Sequence, residues 1–258
     1  MKVLIAIESC HKNRHAHEEL RNTWVSHMDF ADVRFFLGNP PIDIMAKDEV
    51  YLDVPDDYEG LCYKTFRIIQ YADNCGYDYI FKCDTDTFVV PERLKTCGFE
   101  NHDYMGLSLK GHKYSGNLPY AHGGAGYFLS RRAIKAIIDV GEQEFCRIDR
   151  TSGDLFEIPE GTIRPEDSAV GEFLGLAGIS LHNDIRFSGE TNRYPAQNND
   201  IITTHHVAPN QLKAYYTYFY NNIEGPIHIS RGVLIEPGKK YVVRDKNVFE
   251  LKDGKIVQ

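Results

Sequence analysis

The chain has 258 residues, 42% hydrophobic and 26% charged, an ordinary globular composition large enough to bury a core without disulfide or metal staples. Its 29 basic and 37 acidic residues give a net charge of -8, which argues against a general nucleic-acid binder and its basic face. No apolar run approaches the ~18 to 20 residues of a membrane span, and the run Val3 to Ile7 is too short for a signal-peptide core. Taken as written, the sequence predicts a soluble, cytoplasmic protein with no transmembrane segment. Six cysteines without CxxC spacing read as free thiols of a reducing compartment.

Val3 to Ile7 is a continuous apolar run, expected of a strand covered on both faces. The polar stretch Ser9 to His17 follows, and its cluster His11, His15 and His17 reads as a solvated face. A helical pattern runs from Ala16 to His27, with Leu20 and Trp24 at i, i+4. Val33 to Leu37 is a second strand, closed by the breaker Gly38-Asn39-Pro40-Pro41, and Val50 to Val54 is a third. Tyr58 to Asn74 is an amphipathic helix with Leu61, Thr65, Ile68, Ile69 and Ala72 on one face. Tyr77 to Cys83 is a fourth strand. Strand, helix, strand, strand, helix, strand is an α/β pattern with a mainly parallel sheet, whose ligands sit at the carboxyl ends of the strands.

The second half is less regular. Tyr104 to Leu109 and Gly126 to Ser130 read as strands, and Arg131 to Val140 and Glu166 to Leu176 as helices. Ile201 to Val207 reads as extended and Pro209 to Tyr220 as helical. The tail has apolar alternation broken by Pro237-Gly238 and Asp253-Gly254, the pattern of one or two β-hairpins. The expected organisation is one domain over residues 1–222 and a C-terminal β extension over 223–258.

Four constellations carry chemistry. In Phe81-Lys82-Cys83-Asp84-Thr85-Asp86, two carboxylates follow an apolar strand. Regular strand geometry points both to one face, whereas a turn splays them, one to a metal and one to a ligand hydroxyl. Hard cations such as magnesium and manganese use one or two carboxylates plus substrate phosphates. Gly123-Gly124-Ala125-Gly126 lacks the dinucleotide-fingerprint spacing and signals close backbone approach to a ligand or a tight turn. Pro165-Glu166-Asp167-Ser168 reads as a helix start, where the dipole lowers a carboxylate's pKa and readies it as a base. Thr204-His205-His206-Val207 at a strand end points its two rings to opposite sides, so that one of them completes the coordination of a metal held by the DxD.

In order along the chain, these pieces resemble glycosyltransferase family 31, which includes β-1,3-galactosyl- and N-acetylglucosaminyltransferases, the core 1 galactosyltransferase and Fringe. Arg21-Asn22-Thr23-Trp24 resembles its R-x-T-W block, and Tyr63-Lys64-Thr65 its helical L-x-x-K-T block. Lys82 to Val89 resembles its DxD block, and Gly123 to Arg131 its G-G-A-G-Y-x-x-S block. Glu166-Asp167 with Gly171 resembles its E-D-V-x-x-G block, and His205 to Pro209 its closing F-H-x-V-x-P block.

The resemblance implies a GT-A fold, a UDP-sugar donor, a manganese (or magnesium) cofactor and an inverting reaction onto a glycan or glycoprotein acceptor. It implies Asp86 and His205 as metal ligands, with His206 the alternative one register away. It implies Asp84 at the donor's ribose or sugar with Thr85 between the acids. Asp167 is the implied general base, with Glu166 its neighbour. Arg21, Thr23 and Lys64 are implied near the nucleotide, and Gly123 and Gly124 beside donor sugar and acceptor. Galactose, N-acetylglucosamine, glucose and xylose stay open as the sugar. The absence of an anchor in the sequence as given, Cys83 before the DxD, Thr85 as its middle residue and the unmatched tail suggest a viral or bacterial relative. Two other readings remain: a phosphatase of haloacid dehalogenase type with Asp84 as nucleophile, and a catalytically silent glycan binder using Tyr215 to Tyr220 as a platform.

Overall fold

The computed structural model describes residues 1–39, 45–110, 118–147, 164–189, 200–220, 240–244, 247–252 and 255–257. The chain begins β1 (Val3–Glu8), α1 (Ala16–Arg21), β2 (Asp32–Gly38), β3 (Glu49–Leu52), α2 (Leu61–Asn74), β4 (Tyr79–Asp84), in the order the pattern predicts. It continues β5 (Phe88–Val89), α3 (Pro91–Lys95), β6 (Tyr104–Gly106), β7 (Ser108–Leu109), β8 (Tyr120–Ala121), β9 (Tyr127–Ser130). Then come α4 (Arg131–Val140), α5 (Glu142–Cys146), α6 (Glu166–Leu176), β10 (His182–Asn183), β11 (Phe187–Ser188), β12 (Thr203–Thr204) and α7 (Pro209–Tyr220). The tail holds β13 (Lys240–Arg244), β14 (Asn247–Lys252) and β15 (Lys255–Val257).

A seven-stranded sheet runs in the order β10-β6-β9-β4-β1-β2-β3. β1 lies between β2 and β4, parallel to both, and β3 extends the parallel half beside β2. β9 enters antiparallel between β4 and β6. All six residues of β1 are buried, which is why it reads as an unbroken apolar run. Its alternation sends Val3, Ile5 and Ile7 to one core, with Leu20, Trp24, Phe35, Phe81, Phe128 and Leu212. Leu4 and Ala6 enter the opposite core, where Ile68 and Ile69 of α2, Ile134 and Ile137 of α4 and Leu174 of α6 cover the sheet.

A second sheet, β11-β12-β5, is small but decisive for the site. β12 runs antiparallel to β5, pairing Thr203 with Val89 and Thr204 with Phe88. This brings the chain after residue 204 back over the turn before residue 88. The tail strands form a three-stranded antiparallel sheet, the two-hairpin pattern expected of the apolar alternation there. The breaker residues Pro40-Pro41, Pro237-Gly238 and Asp253-Gly254 lie outside the described residues.

Several expectations are corrected. The helix expected over Ala16 to His27 ends at Arg21 and resumes as one 3-10 turn over Trp24–His27. The Thr23 hydroxyl donates to the carbonyls of Glu19 (2.6 Å) and Leu20 (3.3 Å), the back-bonding that competes with a helix. His17 is not on a solvated face. It is 1% exposed, stacked on Phe35, with its ring nitrogens 2.7 Å from Ser9 Oγ and 2.9 Å from Glu49 Oε1. The strand expected over Tyr104 to Leu109 divides into β6 and β7, and only Thr203–Thr204 of the stretch Ile201 to Val207 is in a ladder. The platform proposed over Tyr215 to Tyr220 begins with a buried ring, since Tyr215 is in the core.

Candidate active site

β1 and β4 end side by side, with Glu8 and Asp84 as register partners. Beyond them opens a cavity of about 880 Å³, whose lining includes Lys12, Asn13, Asp56, Tyr58, Lys64, Asp84, Thr85, Asp86, His205 and His206. This is the carboxyl end of a parallel sheet, the position expected from the α/β pattern.

The turn after β4 splays the two aspartates. Thr87 N–H donates to the Asp84 carbonyl at 3.2 Å, closing the turn, and the Thr87 hydroxyl donates to Gly124 O at 2.6 Å. Asp84 turns back toward Lys82, whose Nζ is 2.9 Å from its Oδ1. Asp86 faces the histidines, its Oδ1 3.2 Å from His205 Nε2 and its Oδ2 3.5 Å from His206 Nδ1, and the second oxygen of Asp84 is 3.8 Å from the same His205 Nε2. Burial pushes the Asp86 carboxyl up, but the two imidazoles outweigh this and hold it below the usual aspartate value.

The expectation that the two histidine rings diverge fails. His206 has φ +61°, a left-handed conformation, so the strand alternation does not persist through it. The ligand atoms of Asp86, His205 and His206 all lie within 4.8 Å of one another. That spacing and donor set fit a divalent cation, so the expected cofactor has residues present that can hold it.

Lys82 is buried, although it sits in a strand. Its ammonium reaches Glu8 Oε2 at 2.8 Å, Asp84 Oδ1 at 2.9 Å and Glu166 Oε1 at 2.5 Å, one carboxylate for each of its three donors. The lysine thereby joins the ends of β1 and β4 to the start of α6. Burial drives Glu8 and Glu166 upward despite Lys82, and the surrounding carboxylates overcome burial to keep Lys82 charged.

Asp167, in the first turn of α6, accepts from Gly123 N–H at 3.1 Å and Ser168 N–H at 2.8 Å. The expected lowering of its pKa by the helix start is reversed. Burial raises it, and the two N–H groups with the Lys82 charge do not cancel that rise. Such a carboxylate is a stronger base than an ordinary aspartate.

The glycine pair has a direct steric reason. A Cβ at Gly123 would lie 2.5 Å from Glu166 Oε1, and one at Gly124 would overlap the His205 ring. Lys64 is buried beside the cavity, donating to Ser9 O at 2.6 Å and to Asp56 Oδ1 at 2.9 Å. Thr85 is buried, and Asn13 Nδ2 reaches its hydroxyl at 3.4 Å. Arg21 and Thr23 do not line this cavity. Arg21 is clamped on Asp48 at 2.7 and 2.8 Å beside a separate, smaller hollow, and the Thr23 hydroxyl is spent on the end of α1.

Sequence reasoning left out Glu8, His122 and the role of Lys82. His122 packs edge-on to His205 at 5.3 Å, and burial lowers its pKa. Its position directly before the glycine pair was the available signal. Glu8 offered only its place at the end of an apolar strand.

Comparison with known proteins agrees with this arrangement. Residues 15–136 match the family model for Galactosyltransferase, a segment that contains the DxD and glycine blocks and ends before α6. A Xenopus laevis glycoprotein-N-acetylgalactosamine 3-beta-galactosyltransferase 1 is 26% identical over 168 residues, covering 62% of this chain and 41% of that protein. The chain thus spans about two fifths of that relative's length. The crystal structure of a glycosyltransferase involved in glycosylation of the major capsid of PBCV-1 superposes with a TM-score of 0.50 at 15% identity, covering 84% of this chain and 98% of that one. The glycosyltransferase GlyE of Streptococcus pneumoniae TIGR4 aligns with a TM-score of 0.47 at 12% identity, covering 88% of this chain and 65% of that one. No helix among the described residues is long and apolar enough to cross a membrane. The sheet order, with antiparallel β9 inserted between β4 and β6, is that of a GT-A fold, and residues 15–136 are similar to the Galactosyltransferase family.

Proposed function

We propose that the chain is a metal-dependent, inverting glycosyltransferase that moves a sugar from a UDP-sugar to a hydroxyl of a glycan or glycoprotein acceptor. The observation that carries this reading is the cavity at the end of β4, where Asp86 meets His205 at 3.2 Å and Asp84, bonded to Lys82 through one oxygen, turns the other toward the same ring at 3.8 Å. A divalent ion, manganese or magnesium, held by Asp86 and His205 would supply Lewis-acid neutralisation of the diphosphate charge as it leaves. Asp84, fixed by Lys82, keeps its second carboxylate oxygen for a donor hydroxyl. Lys64 and Thr85 border the nucleotide space. Asp167 takes the proton from the acceptor hydroxyl, which then attacks the anomeric carbon from the face opposite the leaving group. One base and one attack give inversion, unlike the paired carboxylates of most glycosidases.

We read residues 1–222 as the catalytic unit and 223–258 as an added β extension. The phosphatase reading is not favoured, because Asp84 ends the fourth strand rather than the first and lies in a segment that matches the Galactosyltransferase family model. The silent-binder reading loses the buried Tyr215 from its platform.

The test is a UDP titration by calorimetry, with and without manganese, on the wild type and Asp86→Asn. Binding that needs both the metal and Asp86 supports the reading and directs a screen of UDP-galactose, UDP-N-acetylglucosamine, UDP-glucose and UDP-xylose. No binding under any metal condition overturns it.

A further inference from the structure

Three observations at the tip of β12 concern His206 rather than His205. The backbone is pinned on both sides of it: His205 N–H donates to Ser188 O at 3.0 Å, and Val207 N–H donates to Asp86 O at 2.8 Å. Between these anchors His206 adopts φ +61°, and among the described residues only Asn39 shares a positive φ without being glycine. The turn carries the His206 ring to the same side as His205, with ring centroids 3.8 Å apart and planes inclined by 31°.

The two imidazoles then address the two oxygens of one carboxylate, His205 Nε2 at Oδ1 and His206 Nδ1 at Oδ2. The His206 side chain is 63% exposed, so burial is not what holds it there. It lines the cavity, and so do His205 and Asp86.

We propose that His206 is a third protein ligand of the metal centre, which makes it a two-histidine, one-carboxylate site that prefers nitrogen-accepting transition ions to magnesium. The inference rests on the reading of Asp86 and His205 as ligands, and adds to it one residue and a selectivity. The chemistry follows from the donor set. Magnesium demands oxygen ligands in near-ideal octahedral geometry and keeps its waters. Imidazole favours cobalt, nickel and zinc, and affinity at such a site rises along the series from manganese to copper. Two imidazoles therefore move the site toward the later ions. Three protein ligands still leave coordination positions open for substrate oxygens. In the F-H-x-V-x-P block, His206 occupies the x position, so the second imidazole is a property of this chain rather than of the block.

The test needs the metal alone. His206→Asn removes the imidazole while keeping a residue that tolerates a left-handed φ. Manganese, cobalt and magnesium are titrated by calorimetry into the wild type, His206→Asn, His205→Asn and Asp86→Asn. Pulsed EPR on the manganese form counts coupled imidazole nitrogens, and a thermal melt shows that each variant is folded. The expected result is two coupled nitrogens in the wild type and one in each histidine variant. Cobalt should bind the wild type at least tenfold more tightly than magnesium, and His206→Asn should lose about tenfold for cobalt while leaving magnesium little changed.

One nitrogen in the wild type, retained in His206→Asn with unchanged affinities, overturns the role of His206 and leaves the Asp86–His205 site standing. Manganese binding that survives Asp86→Asn, or no binding by any of the ions, overturns the underlying metal reading and this inference with it.

Discussion

Gly124 and His205 share one space: the imidazole lies where any side chain at 124 would have to go. Thr87 holds the same glycine from the other side through its carbonyl. The turn carrying Asp86, the glycine loop and the strand end carrying His205 are thereby stacked on one another. Gly124→Ala should push the ring away from Asp86 without disturbing the sheet. We expect metal affinity to fall about tenfold or more, equivalent to ~1.4 kcal/mol, with a melting temperature near that of the wild type. Calorimetric titration with manganese checks the first and a thermal melt the second; unchanged affinity would show that the ring position is not what sets binding.

Asp167→Asn should lower transfer by ~10² to 10⁴, the usual contribution of a general base, and leave UDP binding nearly intact. Equal losses in both would remove Asp167 from that role. Because burial raises its pKa, the acid limb of kcat/KM should lie above that of an ordinary aspartate. Activity is present while the carboxylate is ionised and is lost as pH falls through the raised value. The pH profile of the wild type measures that limb directly.

Lys82→Met should be costly for a different reason. It leaves Glu8 and Glu166 buried without their shared cation, and losing one partner of a buried ion cluster typically costs ~3 to 5 kcal/mol. The sign with pH is specific. Both carboxyls have raised folded values, so the stability they contribute is present at low pH and lost as pH rises through those values. The variant's deficit should therefore grow from acidic to neutral pH in urea titrations. A pH-independent deficit would point to lost packing instead.

Glu49 gives the opposite sign. Burial pushes its carboxyl up, but hydrogen bonds from Arg14, His17, the Ala46 N–H and Tyr51 outweigh this and bring it down to about 2. Relative to an ordinary glutamate, this lowered value stabilises the fold at neutral pH. The contribution is present above the unfolded value and is lost as pH falls toward 2. Glu49→Gln should destabilise the protein at pH 7 and flatten its stability profile between pH 5 and about 2, as read by denaturant unfolding.

Removing residues 223–258 should leave a cooperatively folding protein. Leu212 and Tyr215 of α7 are in the main core, so the cut must fall after that helix. A truncated chain with a retained melting transition and intact manganese binding supports the division; loss of the transition refutes it.

The strands were legible because β1 is covered on both faces and shows as an unbroken apolar run. Asp84 and Asp86 were legible because one ends and the other closely follows a mostly apolar strand, and His205 because its block stands last in an ordered series. Lys82 was not. Local pattern assigns a lysine to water, and its burial depends on carboxylates from the first strand and the sixth helix that no window around residue 82 contains. The turn at His206 was hidden for a similar reason. Alternation describes a strand that continues, and this one is stopped by bonds to Ser188 and Asp86. The direction of the Asp167 shift was missed because the helix start is visible in sequence, whereas the burial that outweighs it is not.

The antiparallel pairing of β12 with β5 has a consequence for the order in which the protein becomes competent. Asp86 is synthesised roughly 120 residues before the histidines that face it, and contacts so distant in sequence are among the last a chain acquires. A nascent chain that has completed its parallel strands carries the DxD turn but not the imidazoles. Ion capture would then mark the closing of the fold, and a bound cation would act as a latch on the segment that arrives last, stabilising it in proportion to its concentration over its dissociation constant.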